Sequence, residues 1–319
     1  MIDIVISTYN RAEHLKKAIE SAINQKNQNF NLFVLDNAST DNTEEVVYSF
    51  NSQKIKYIKN SKNLGMIGNW NKALKIGNSN YVNIFHDDDI LEPHYVELMV
   101  SFIKKNKDTA LIHTAANIID ENGNFKKKQV MPYKEVTDGK DFFCSYIQNS
   151  LSIICPSVLI NRSKLPLDFV FSEKFPYTSD MNFWVRASKY GSVGYISEPI
   201  ISYRVHINSG SSSIFKNIDV KIQDRLNYGN FLDHEALERG VFFEGIGDNY
   251  IKASLSSDIF FTRILGGTVL DILRVAYRCL NQYPQLISFP WFYFYFIKAL
   301  LPITFLKSLF NKLNGNFNK

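Results

Sequence analysis

Tyr81-Val82-Asn83-Ile84-Phe85-His86-Asp87-Asp88-Asp89-Ile90-Leu91-Glu92-Pro93 joins an apolar, β-prone run to three adjacent carboxylates. Like charges crowded at the end of a strand repel one another and resist burial. A shared cation removes both problems. Hard cations such as Mg²⁺ and Mn²⁺ prefer carboxylate oxygen, and Mg²⁺ is usually held by one or two carboxylates together with substrate phosphates. The stretch therefore points to a metal held against a nucleotide diphosphate. A solvated acidic turn has the same local composition, so the flanking elements must decide.

Those elements alternate. Ile2 to Ser7 is a β-rich run, and Arg11 to Asn24 places Leu15, Ala18, Ile19, Ala22 and Ile23 at helical spacing. Phe30 to Leu35 reads as a second strand, closed by Asp36-Asn37-Ala38-Ser39-Thr40-Asp41. Asp41 to Phe50 opens like a capped helix. Ile55 to Lys59 is a third strand, Asn69 to Ile76 a helix, and Tyr81 to Phe85 the fourth strand. This alternation predicts an α/β fold with a mostly parallel sheet flanked by helices. In such sheets ligands bind beyond the carboxyl ends of the strands. Ser7-Thr8-Tyr9-Asn10, Asp36-Asn37 and the acidic triplet each follow a strand directly, so they are expected to converge on one crevice.

The middle of the chain is mixed. Strands are expected at Leu111 to Ile119, Ser152 to Ile160 and Ile196 to Val205, with a helix at Asp180 to Tyr190. Lys126-Lys127-Lys128, after the turn-like Glu121-Asn122-Gly123-Asn124, reads as a solvated hairpin edge. Beyond residue 216 the pattern becomes helical, over Lys216 to His234, Asp248 to Leu265 and Thr268 to Leu280.

Composition excludes several classes. Of 319 residues 45% are hydrophobic, enough for a large core, and the charge balance of 36 basic against 31 acidic residues gives only +5. With no long Lys/Arg block, nucleic acid is not an expected partner. Cys144, Cys155 and Cys279 form no CxxC pair, which speaks against a disulfide framework or a zinc site and for a reducing cytoplasm. The opening Ile2-Asp3-Ile4-Val5-Ile6 reads as a strand rather than a signal peptide. No GxxxxGK[ST] or GxGxxG follows the first strand, so neither a P-loop nor a dinucleotide oxidoreductase is indicated.

Several segments, in order, together resemble glycosyltransferase family 2, the inverting enzymes of the GT-A fold. They are Val5-Ile6-Ser7-Thr8-Tyr9-Asn10-Arg11, Val34-Leu35-Asp36-Asn37-Ala38-Ser39-Thr40-Asp41 against the family's "DDGSTD", and Asn63-Leu64-Gly65 with Asn71. The acidic triplet with Pro93 follows. Thr178-Ser179-Asp180 with Phe183-Trp184 and Arg186 resembles the helix that carries the base, and Tyr203-Arg204-Val205-His206 with Ser209 and Ser212 resembles a late "YRxH…S" loop. The resemblance covers about residues 2 to 212. It implies a catalytic domain over 1–215, with a nucleotide-binding half at 1–110 and an acceptor half at 111–215, and a helical C-terminal region over 216–319.

The resemblance also implies roles. A divalent metal, Mn²⁺ or Mg²⁺, falls to Asp88 by register from Pro93, with Asp89 supporting and His206 as an additional ligand. Ser7, Tyr9, Asp36, Asn63 and Asp87 fall to the nucleotide sugar. Asp180 falls to the general base, and a helix N-cap is compatible with that role. His86 stands where the family often has Asp, and Ser179 where it usually has Glu. A uracil or thymine ring offers Asp36 an N–H donor, so UDP- or dTDP-sugars are favoured. The processive members' Gln-x-x-Arg-Trp motif is missing, so transfer of a single sugar is expected.

Residues 288–310 are rich in Phe, Tyr, Trp, Leu and Ile, but Pro290, Lys298 and Pro302 interrupt them. The uninterrupted runs are too short to span a bilayer. Lysines without acids from residue 280 onward suit the surface of an anionic leaflet. The expectation is a peripheral contact at the inner face of the cell membrane, with a saccharide or lipid-linked acceptor in bacterial cell-surface polysaccharide synthesis. A core helix packed on the catalytic domain has the same composition. The alternative function is a non-catalytic nucleotide-sugar binder or membrane scaffold of the same fold, against which the intact Asp180 and Asp87-Asp88-Asp89 argue.

Overall fold

A computed structural model describes residues 1–148, 153–206, 217–243, 245–264 and 268–301. The chain divides into two compact units, Met1–His206 and Ile207–Lys319.

The first unit is built on a ten-stranded mixed sheet. Its strands are β1 (Ile2–Thr8), β2 (Phe30–Asp36), β3 (Ile55–Lys59), β4 (Tyr81–His86), β5 (Ile90–Leu91), β6 (Thr109–Ile119), β7 (Phe125–Gln129), β8 (Val136–Thr137), β9 (Leu159–Asn161) and β10 (Ser192–Arg204). The spatial order is β3-β2-β1-β4-β9-β6-β10-β5, with β7 on β6 and β8 on β10. Strands β1, β2, β3, β4, β6 and β10 run in one direction, and the remaining strands oppose them. Helices α1 (Ala12–Ile23), α2 (Thr43–Ser49), α3 (Gly65–Ala73), α4 (Tyr95–Lys105), α5 (Gly139–Gln148) and α6 (Ser179–Ala187) accompany the sheet. Strands covered on both faces read as nearly continuous apolar runs, which is why β1 and β4 carry Ile4, Val5, Ile6, Val82, Ile84 and Phe85, all buried.

Register brings the expected loops together. Thr8 pairs with Asp36, and Ser7 pairs with both Leu35 and His86. The chain therefore leaves β1, β2 and β4 at one level of the sheet. The opposite end is closed by Asp3. Its buried carboxylate accepts from Asn31 Nδ2 at 2.7 Å and from the Ser79 backbone and hydroxyl at 2.9 and 2.8 Å, and it pairs with Arg162.

Three expectations shift. Helix α3 starts at Gly65 rather than Asn69, because Asn37 Oδ1 accepts the Leu64 N–H at 2.9 Å and Asn63 Oδ1 the Gly65 N–H at 2.7 Å. Those side chains satisfy donors that an early helix start leaves open. Strand β9 begins only at Leu159, after a 3₁₀ turn at Cys155–Ser157 that contains Pro156; residue 152 lies outside the described residues. Asp180 is not the cap of its helix. Thr178 holds that position, and Asp180 falls in the first turn. The lysine run lies on β7, an exposed strand antiparallel to β6.

The second unit is helical: α7 (Ile218–Glu238), α8 (Ile246–Ile264), α9 (Val269–Gln282) and α10 (Pro290–Leu300), with a 3₁₀ turn at Pro284–Ser288. Ile222, Leu255, Ile259, Ile272, Cys279 and Phe292 form its core. Inside it Asp258 pairs with Lys221 at 2.9 Å and Arg225 at 3.3 Å, so this buried carboxylate faces two cations. Among the described residues, no helix is long and apolar enough to cross a membrane.

Candidate active site

The loops after β1 and β2 are stitched to each other by side chains. Asn10 N–H donates to Ser39 Oγ at 2.9 Å, Thr40 N–H to Asn10 Oδ1 at 2.8 Å, and Ala12 N–H to Asp41 Oδ2 at 3.1 Å. Asn10 and Ala38 both adopt left-handed backbone, at φ 52° and 65°. For a residue with a Cβ this conformation costs about 1–2 kcal/mol. Ala38 stands where the resembling motif has glycine.

Behind these loops runs a ladder of amides. Asn69 Nδ2 donates to Ser7 Oγ at 2.8 Å, Asn60 Nδ2 to Asn69 Oδ1 at 2.8 Å and to Asn37 Oδ1 at 3.0 Å, and Asn37 Nδ2 to Asn63 Oδ1 at 2.9 Å. Lys72 Nζ closes it on Asn60 Oδ1 at 2.6 Å. The ladder ties the end of β1 to the loops before α3. Asn37 was expected at the crevice as part of Asp36-Asn37, whereas Asn60 and Asn69 were not among the residues expected at the site from sequence. The abundance of Asn was the only signal, because their partners are far apart in the chain.

The expected nucleotide-side residues line this rim at different depths. Tyr9 and Asn63 are exposed, Ser7 is half-buried, and Asp36 and Asp87 are buried. Asp36 is fully enclosed. Its Oδ1 accepts from the Ser39 N–H at 2.8 Å and its Oδ2 from the Tyr57 hydroxyl at 2.6 Å. In this state Asp36 braces the β2 loop.

The triplet sits in the turn between β4 and β5, and its three carboxylates are in different surroundings. Asp87 is pushed up to about 7, first by burial and then by Asp88, with Arg11 pulling it back. Asp89 lies well above the ordinary carboxylate range, again through burial and then Asp88. Asp88 alone lies below it: burial pushes upward, but His86, the hydrogen bond from His206 and the Arg11 guanidinium outweigh it. Arg11 Nη1 stands 2.7 Å from Asp88 Oδ2 and 3.3 Å from Asp87 Oδ1, and His206 Nε2 stands 3.0 Å from Asp88 Oδ2. Asp89 Oδ1 accepts the Arg204 N–H at 2.8 Å. Arg204 fixes the turn further, with Nε on the Asp88 carbonyl at 2.8 Å and Nη1 on the carbonyls of Asp120 and Glu121.

These residues suit a divalent ion. Among the described residues, His86, Asp88 and Asp89 each bring a potential ligand atom to within 4.8 Å of the others. Asp89 Oδ2 and His86 Nε2 are buried without a hydrogen-bond partner, and buried polar groups of that kind call for an explanation. Burial lowers the His86 pKa while the Asp88 charge works against it; a ligating ring would be the neutral one, and the ion would then replace His86 as a positive neighbour of Asp88. His206 is outside this group of three; its Nε2 is hydrogen-bonded to Asp88 Oδ2 at 3.0 Å, a contact it must give up to ligate the ion. Trp70 stacks on His86 with centroids 5.5 Å apart and planes 9° from parallel, fixing the imidazole.

Asp180 comes from α6. The helix is anchored by Arg186, which donates to Asn182 Oδ1 at 2.8 Å and lies 4.5 Å from the Phe169 ring, and by Ser179 Oγ on the Ser172 carbonyl at 3.0 Å. Ser179, where the family usually has Glu, thus holds the preceding loop. Asp180 Oδ1 accepts the Met181 N–H at 2.8 Å. A helix N-terminus stabilises a carboxylate as its anion, the form a base requires. The buried Cys155 thiol is pushed up by burial and then by Asp180 and Asp89. Asn71, which appears in the resembling motif, holds Phe171 through two backbone bonds of 2.9 and 2.7 Å. Ser209 and Ser212 lie outside the described residues.

The sequence profile of glycosyl transferase family 2 matches residues 3–167, which contain β1, β2, β4 and the triplet. The chain belongs to glycosyltransferase family 2. An uncharacterized glycosyltransferase of Methanocaldococcus jannaschii is 32% identical to it over 214 residues, covering 64% of this chain and 71% of that protein. An Escherichia coli protein named UDP-Glc:alpha-D-GlcNAc-diphosphoundecaprenol beta-1,3-glucosyltransferase WfgD is 26% identical, covering 68% of this chain and 82% of that one. The chain spans about half the length of two Rickettsia glycosyltransferases that it also matches. In fold it is similar to residues 1–349 of Staphylococcus aureus TarS, solved with UDP-GlcNAc, at a TM-score of 0.58, 17% identity and 90% coverage of both chains. The expected mixed, mostly parallel GT-A sheet with C-terminal helices is thereby borne out. As a member of this family the chain is a glycosyltransferase enzyme.

Proposed function

We propose that this glycosyltransferase moves a single sugar from a nucleotide-diphosphate sugar, UDP- or dTDP-linked, to a hydroxyl of a saccharide or lipid-linked acceptor, with inversion, in assembly of a bacterial cell-surface polysaccharide. The observation that carries this reading is the cluster of His86, Asp88 and Asp89, whose potential ligand atoms lie within 4.8 Å of one another at the carboxyl end of β4, beside the β1 and β2 loops. Ser7, Tyr9, Asp36, Asn63 and Asp87 take the nucleotide and sugar. Asp36 is enclosed by Ser39 and Tyr57, so it reaches a base N–H when the β2 loop opens, and its oxygens then have lone pairs to spare. The uridine nucleotide bound by TarS and named for the WfgD donor supports a uracil base.

Asp88, with Asp89 and His206 and with His86 in reach, would hold Mn²⁺ or Mg²⁺, which when bound supplies charge stabilisation to the leaving diphosphate. Asp180 accepts the acceptor's proton as its oxygen bonds to the anomeric carbon from the face opposite the diphosphate. The bond to the diphosphate oxygen breaks in the same displacement, and the configuration inverts. The acceptor named for WfgD is a diphosphoundecaprenol-linked sugar, which supports a lipid-linked acceptor here. A membrane-surface role for α10 fits that acceptor. Its Phe292 and Ala299 face the core of the second unit, while Trp291, Tyr293, Phe294 and Ile297 are exposed beside Lys298. Residues 302–310 of the aromatic tail lie outside the described residues.

The test is binding and hydrolysis of a panel of UDP-, dTDP- and GDP-sugars by the purified chain, with and without Mn²⁺ or Mg²⁺, alongside Asp88→Asn. Metal-dependent turnover of one donor, lost in the variant, is expected. Absence of metal-dependent binding to every donor overturns the reading. Sedimentation with anionic but not neutral vesicles, abolished by removing 288–319, checks the membrane contact.

A further inference from the structure

Arg11 directly precedes α1, and its guanidinium turns back over the end of β4. One nitrogen, Nη1, bridges Asp88 Oδ2 at 2.7 Å and Asp87 Oδ1 at 3.3 Å. A positive group shared between two carboxylate oxygens in this way performs the task of a hard cation. Asp88 Oδ2 also receives His206 Nε2, so a single oxygen already carries two donors. A divalent ion and this guanidinium compete for that oxygen, because like charges at ligand distance repel.

The other arginine at the triplet is no rival for the role. Arg204 is 2% exposed and directs its side chain to main-chain carbonyls of Asp88, Asp120 and Glu121. The Arg11 side chain is 30% exposed and stands at a loop on the crevice rim, so it has room to turn away. An arginine released there is suited to the oxygens of a diphosphate, which it can bind through two parallel N–H donors.

We propose that Arg11 is a built-in counter-cation of the acidic cluster, displaced from Asp88 by a divalent metal and then engaged by the diphosphate of the donor. This rests on the metal-assisted donor site proposed above. It makes metal and nucleotide bind cooperatively. Metal alone costs the guanidinium its contact with Asp88, whereas metal with a diphosphate gives it a new anionic partner. By linkage each ligand tightens the other by the same factor.

The test titrates the full chain with Mn²⁺, following free ion by electron paramagnetic resonance, with and without UDP and with the Mn²⁺–UDP complex measured separately. In the wild type UDP is expected to tighten Mn²⁺ by roughly tenfold, the order of one charge-assisted hydrogen bond. Arg11→Gln is expected to bind Mn²⁺ without UDP about tenfold tighter than the wild type, and to lose most of the UDP effect. Arg11→Lys keeps a charge that cannot span both carboxylates, so its Mn²⁺ affinity falls between the two. If either folded variant binds Mn²⁺ alone no tighter than the wild type, while wild-type binding still responds to UDP, the counter-cation assignment is overturned and the donor site stands. If no protein binds Mn²⁺ even with UDP, both readings fall together.

Discussion

Asp87 offers a test of the site that needs no substrate. Its carboxyl is raised from an ordinary 3.8 to about 7, first by burial and then by Asp88. A carboxylate with a raised folded-state pKa favours the folded state while protonated. Its contribution is complete below the unfolded pKa near 4 and is lost as pH rises through 7. The neutral isostere Asp87→Asn does not undergo that loss. At about 1.4 kcal/mol per pH unit, the stability of Asp87→Asn relative to wild type should rise by about 2.5 kcal/mol between pH 5 and pH 8. Most of the change falls below pH 7. Urea unfolding in EDTA, followed by tryptophan fluorescence, reads it, because Trp70 and Trp184 are buried in the first unit. Asp89 titrates in both proteins, but Asp87 is one of the groups that raise it, so its own loss is smaller in the variant and adds to the gap in the same direction. A gap that is flat with pH, or that narrows as pH rises, would refute the burial of an uncompensated charge at Asp87.

Three further outcomes are expected. Asp180→Asn should lower kcat about 10²- to 10⁴-fold, the range for loss of a positioned base, with donor KM unchanged; steady-state kinetics on the donor identified by the panel decides it. Asn60→Ala removes the amide that joins Asn37, Asn69 and Lys72, and should cost about 1–3 kcal/mol for the buried partners left open, read as a lower urea midpoint together with weaker nucleotide binding. Gly77→Ala should destabilise by about 2 kcal/mol or more without touching the site, because Gly77 has φ +77° and a Cβ there would stand 2.2 Å from Asp3 Oδ2; thermal unfolding checks it.

The parts of the fold legible in sequence are those set by local pattern. Strands β1, β2 and β4 stood out because burial on both faces writes an apolar run, while β3, Ile55-Lys56-Tyr57-Ile58-Lys59, shows only a short β-prone alternation with exposed lysines; their order located the crevice through the rule for parallel sheets. The triplet was legible as a site only with its flanks, because its charge alone also fits a solvated turn and the preceding strand and the neighbouring loops decided it. Helix α4 is also written in local pattern: Tyr95, Val96, Met99, Val100 and Phe102 repeat at helical spacing just after Pro93, an ordinary start signal. The early start of α3 was not legible, because the acceptor for Leu64 N–H is Asn37, 27 residues away. The same holds for Arg11, whose carboxylate partners lie 76 and 77 residues on. Sequence motifs named Arg11 and Asn37 as members of a pattern, but only the folded chain shows what they hold.

Three consecutive aspartates with unlike protonation bear on which of them binds metal. The cationic groups near the triplet are not shared evenly. Arg11 and His206 both meet Asp88 Oδ2 at hydrogen-bond distance, while Asp87 receives the longer of the two Arg11 contacts and Asp89 a backbone N–H on Oδ1, with His86 Nδ1 3.9 Å from its Oδ2. Asp88 is therefore the carboxylate kept ionised at neutral pH, and its neighbours are the ones whose charge is costly. A fold selected for stability alone gains nothing from burying Asp87 and Asp89 beside it, since neutral isosteres would remove the repulsion. Destabilised groups of this kind persist where function requires them. A divalent ion at Asp88 would reverse the balance, lowering all three carboxyl pKa values together. Metal should therefore stabilise the fold more at pH 8 than at pH 5, where protons compete for Asp87 and Asp89.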